Sequence, residues 1–66
     1  MKKLKVNRSV YSDETIKSTM QAYQHLATIT VQNIGDYTVL TFRKCKFDEE
    51  RTVKEFENYL IGIENS

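Results

Sequence analysis

Sixty-six residues with ten basic and nine acidic side chains, a net charge of +1, one cysteine and one histidine set narrow limits. So short a chain has room for one domain, residues 1 to 66, and buries only roughly 60% of the surface it exposes when unfolded, so it is marginal alone and association is expected. Cys45 has no intramolecular disulfide partner, Cys45 and His25 cannot supply the four ligands of a structural zinc, and the small net charge does not by itself argue for nucleic acid, so neither metal nor cofactor is expected.

The first residues, Met1-Lys2-Lys3-Leu4-Lys5-Val6, carry the charge of a signal peptide without the apolar stretch that must follow, and no window approaches a membrane span. A cytoplasmic location and no membrane partner are expected, in keeping with a lone cysteine in a reducing compartment. Leu4 and Val6 alternate with Lys3, Lys5 and Asn7, which predicts a strand over residues 3 to 8 with one buried face. Ser12 before Asp13 and Glu14 is an N-cap followed by two charges that suit the helix dipole. Tyr11 and Ile16 stand at the two positions of a hydrophobic staple. The row Ile16, Met20, Tyr23 and Ala27, with Leu26 beside it, carries the helix to about His25.

Residues 27 to 32 are rich in β-branched side chains, with Ile29 and Val31 on one face of a half-exposed strand. Asn33-Ile34-Gly35-Asp36 supplies a tight reversal, so residues 37 to 43 should return as the antiparallel arm of a hairpin. The inward face of this third strand is open: Leu40 and Phe42 favour one side, Tyr37 and Val39 the other. Asp48 with Glu49 and Glu50 repeats the capping pattern, and Phe47 is placed to staple onto Thr52 or Val53. Val53, Phe56, Leu60 and Ile63 then form the apolar row of a second helix. The chain therefore reads as an α+β fold, β-α-β-β-α, a three-stranded sheet with two helices on one face and the third strand central and antiparallel to both neighbours.

Candidate chemistry is thin. His25 in a last helical turn suits the helix dipole, and nothing near it in sequence is a nucleophile. Cys45 lies among Arg43, Lys44 and Lys46, cations that would lower a thiol pKa, but no oriented base accompanies it. Glycine-rich phosphate loops, nucleophile elbows and paired metal motifs are absent, so no catalytic residue is assigned and the chain is read as a non-enzyme. The basic residues say more. Lys3, Lys5 and Arg8 on the first strand should meet Arg43, Lys44 and Lys46 at one end of the sheet, forming a positive patch opposite the acidic start of the second helix. Tyr37 at the hairpin is the tyrosine best placed for an interface. The same charges also serve to guard a sheet edge against aggregation.

Val10-Tyr11-Ser12-Asp13-Glu14-Thr15-Ile16, continued by Ala22-x-Gln24 and a β-hairpin, resembles the small D protein of the His-Xaa-Ser peptide-modification system. The similarity runs from about Val6 to Ile63 and consists of a Tyr-Ser helix start, an amphipathic helix, a strand pair and a closing helix, with no catalytic signature to carry over. In that family the small protein is encoded beside radical-SAM maturases acting on a ribosomally made precursor. The resemblance implies an accessory subunit that binds the precursor peptide or the maturase. The element order differs from that of a winged-helix leader-binding domain. The resulting expectation is a non-enzymatic accessory binding protein, a homodimer with a protein or peptide partner. The alternatives are a small nucleic-acid-binding module using the basic patch, and a ligand-sensing regulatory domain like a truncated ferredoxin-like unit.

Overall fold

The computed structural model describes residues 1–65. Its elements are β1 (Lys2–Asn7), α1 (Asp13–Tyr23), β2 (Thr28–Ile34), β3 (Tyr37–Arg43) and α2 (Glu49–Glu64). The sheet order is β1-β3-β2 with both pairings antiparallel, so the third strand is central, as the sequence predicts. Among the described residues no helix is long and apolar enough to cross a membrane.

Both helices start where their caps place them. Ser12 Oγ accepts from the Thr15 N–H and Asp48 Oδ2 from the Arg51 N–H, each satisfying a donor that the first helical turn leaves unpaired. The ends differ from expectation. α1 stops at Tyr23, and His25 lies in the following turn, which the Leu26 N–H closes on the Tyr23 carbonyl at 2.9 Å. That turn sends Ala27 into the core. Tyr11 packs half-buried against the core beside the buried Ile16, whereas Phe47 stays 69% exposed instead of stapling onto α2.

The hairpin loop is also shorter than the four residues predicted. Ile34 pairs with Tyr37, leaving Gly35 and Asp36 as a two-residue connection. Gly35 takes φ +58° while Asp36 keeps a negative φ, the pattern of a type II′ turn, in which only the first central position needs a glycine.

The open question about β3 is settled by helix packing. Thr38, Leu40 and Phe42 are buried, while Tyr37 and Arg43 on the opposite side are exposed. Phe42 meets Phe56 edge-to-face at 5.1 Å. The stack continues through Tyr23 at 5.5 Å from Phe56 and Tyr59 at 5.7 Å from Tyr23, so one aromatic chain ties β3, α2 and α1 together. The Ser12 N–H donates to Glu64 Oε1 at 3.1 Å, which fixes the start of α1 beside the end of α2.

The inward face of α1 keeps the predicted apolar row, Ile16, Met20 and Tyr23 leading to Ala27, and adds two threonines to it. Thr15, Ile16 and Thr19 are buried, and Met20 and Tyr23 are only partly covered. Threonine can occupy such positions because its hydroxyl finds a local partner: Thr19 donates to the Thr15 carbonyl, and Thr52 on α2 to the Asp48 carbonyl, both at 2.8 Å. Thr38 solves the same problem across the hairpin by donating to Asn33 Oδ1 at 3.0 Å.

Candidate functional site

The two faces of the sheet carry different chemistry. α1 and α2 cover the inner face. Neither helix touches the outer one, where the register places Lys3 and Lys5 of β1 beside Tyr37, Val39, Thr41 and Arg43 of β3. Lys5 Nζ sits 4.2 Å from the centre of the Tyr37 ring, a cation–π contact. Four of the seven residues expected to bind thus share one exposed surface.

The other three are elsewhere, and the predicted single-ended patch is corrected. Because β1 and β3 are antiparallel, Lys3 lies across from Thr41 next to Arg43, but Arg8 continues past Asn7 to the hairpin end. There its N–H donates to the Asp36 carbonyl at 2.9 Å and its Nη1 reaches the Gly35 carbonyl at 3.5 Å. Lys44 and Lys46 belong to the connection between β3 and α2. Lys44 adopts φ +51° as the chain leaves the strand, and the Lys46 N–H is held by the Leu26 carbonyl. The acidic start of α2 is not opposite the basic end. The Met1 ammonium bridges Glu49 at 3.0 Å, bringing that start against the beginning of β1.

The surroundings of Cys45 disfavour its thiolate, in line with an ordinary cysteine that lacks an oriented base. Burial, then the charge of Glu49, pushes its pKa up, and the nearby N-terminal ammonium offsets this only in part. Its own backbone neighbours are cations, but their side chains are exposed and do not govern the thiol. Cys45 in the folded chain is therefore expected to alkylate with iodoacetamide more slowly than the same chain in urea across the mildly alkaline range, where thiolate fraction controls rate. Equal rates in the two states would contradict this environment. The shift also has a sign for stability. A folded-state pKa raised above the unfolded value stabilises the fold fully below the unfolded pKa, and that contribution is lost as pH rises through the folded one. His25 is exposed, and among the described residues no three His, Cys, Asp or Glu side chains converge as metal ligands.

What the sequence did not locate is which sheet edge stays bare and the groove beside it. The bond from the Arg8 N–H to the Asp36 carbonyl extends the β1–β3 ladder and fixes its phase, because antiparallel pairs alternate between exchanging both backbone bonds and none. Thr38, Leu40 and Phe42 accordingly bond β1, and Tyr37, Val39, Thr41 and Arg43 bond β2. What remains at the outer edge of β2 are the N–H and C=O groups of Ile29, Val31 and Asn33. Among the described residues nothing guards this edge. Thr28–Ile34 carries no charge, and Val31 is 43% exposed. The corresponding edge of β1 presents Lys3 and Lys5.

The same three residues point their side chains to the inner face. There they border an open groove of about 620 Å³ between β2 and α1, walled on the helix side by Ile16 and Met20, with Asp13 and Lys17 at its rim. The signal available in the sequence was the contrast between an uncharged Thr-Ile-Thr-Val-Gln-Asn-Ile and the lysine-rich first strand. Comparison with protein-family models, with curated proteins and with solved structures finds no match to this chain.

Proposed function

We propose that this chain is a non-enzymatic binding protein that captures an extended peptide as a fourth strand beside β2. The observation that carries the reading is a coincidence of position: the backbone groups of Ile29, Val31 and Asn33 that no strand uses belong to the residues whose side chains border the groove. Strand addition draws affinity from the first and selectivity from the second, since alternate side chains of an added strand would fall under α1. Apolar side chains suit the Ile16, Met20 and Ile29 lining of the groove.

In this reading the resemblance to the small D protein supplies the partner. The captured segment is the precursor peptide of a ribosomal-peptide modification system or an extended segment of its radical-SAM maturase, and the chain serves as accessory subunit. A second copy can pair β2 to β2 about a two-fold axis, so homodimerisation and peptide capture compete for one edge. The test is an NMR titration with the precursor peptide. Amide shifts should concentrate on residues 29 to 33 and on the groove side of α1, and saturating peptide should reduce any dimer to a one-to-one complex. Shifts confined to the outer sheet face, or none with either precursor or maturase, would refute it.

A further inference from the structure

We propose that the outer face of the sheet is a second docking surface, for an acidic polypeptide segment that also carries apolar side chains. The charges of the molecule are sorted by layer. Every acidic side chain except Asp36 lies on α1, on α2 or at the α2 cap, whereas the outer sheet face holds Lys3, Lys5 and Arg43 and, among the described residues, no carboxylate. Among the described residues none of these three cations forms an ion pair; the bridges present are Met1 with Glu49 and Arg51 with Glu55. Lys5 instead rests on the Tyr37 ring.

The face is not uniformly polar. Ile34, 54% exposed, pairs across the hairpin with Tyr37, 39% exposed, and Val39 is half-buried next to them. Apolar anchors therefore occupy the hairpin end while Lys3 and Arg43 occupy the other, with Lys5 between. A single-stranded nucleic acid fits this surface less well. Base stacking needs aromatic platforms, and the one ring here already has a cation over it, with aliphatic neighbours. A segment alternating Asp or Glu with Leu or Phe meets both halves: carboxylates steer and fix it, and apolar side chains cover Ile34 and Val39.

Two labelled peptides decide the matter: one mixing Asp and Glu with Leu and Phe, and one in which Asn and Gln replace the acids. Both are titrated by fluorescence anisotropy into the intact chain at low and high salt, with a short oligothymidylate as a third probe. The acidic peptide should bind at least about tenfold more tightly than its amide counterpart and weaken with salt, and the triple variant Lys3→Glu, Lys5→Glu, Arg43→Glu should lose it by a similar factor. Circular dichroism checks that the variant folds, and Tyr37→Ala with Ile34→Ser tests the apolar half on an unaltered charge background. Equal binding of the two peptides, or tighter binding of the oligothymidylate, would overturn the proposal. Val31→Pro, which blocks the β2 edge, should leave this binding unchanged, so the two surfaces can fail separately.

Discussion

Replacing Phe56 with alanine is expected to leave the chain largely unfolded at room temperature. Phe56 has no exposed surface and stands in the middle of the aromatic chain, touching Phe42 on one side and Tyr23 on the other. Truncating a buried phenylalanine costs about 3–5 kcal/mol through lost transfer energy and the cavity left behind. A single small core of this size rarely supplies more than about 3–5 kcal/mol in total. The cost therefore matches the whole stability. Far-UV circular dichroism with urea titration measures it, and a cooperative transition near the wild-type midpoint would show that the core repacks around the void. Phe56→Leu keeps most of the volume and should retain a folded baseline, at a cost of roughly 1–2 kcal/mol, because only the edge-to-face contacts and part of the ring are lost.

Val31→Pro is expected to abolish peptide capture while leaving the fold intact, whereas Gln32→Pro should break the hairpin. The contrast rests on ladder phase. The Val31 N–H faces outward at the edge, so proline there removes a donor that the sheet does not use and sets its ring in the path of an incoming strand. The Gln32 N–H bonds toward Val39, so proline one residue later deletes an internal ladder bond. Loss of affinity in Val31→Pro should exceed about tenfold, since outward donors supply the backbone half of strand addition. Val31→Lys is an independent check that puts charge at the groove without touching the backbone. Unchanged affinity in both variants would place the peptide elsewhere.

Element order and the central position of β3 were legible in the sequence because they rest on local signals. Ser12 and Asp48 announce helix starts by capping chemistry, and Gly35 marks the reversal. The losses come from residues whose roles depend on distant partners. Nothing in Tyr23-Gln24-His25-Leu26 stops a helix; the turn there serves the burial of Ala27. β3 has apolar residues at both parities, and only the position of the helices selects Leu40 and Phe42. Thr15 and Thr19 read as polar, yet they pack inward by bonding within their own helix or cap.

The site was legible in part. The sequence supplied Lys3, Lys5, Tyr37 and Arg43, but it treated the strand ends as interchangeable, and strand direction alone separates Arg8 from Arg43. The groove escaped because it is an absence. α1 covers the inner face of β2 incompletely, and no residue type announces a space.

The unequal guarding of the two sheet edges bears on how many strands can be added to the sheet. A sheet with two bare borders can elongate without end, each newcomer offering a fresh template to the next. Here the lysines of the β1 border disfavour its pairing with the β1 border of a second copy, whereas the β2 border carries no charge. Edge-to-edge growth of the sheet would then stop at a β2-to-β2 pair, with the outer face left free for a partner of its own.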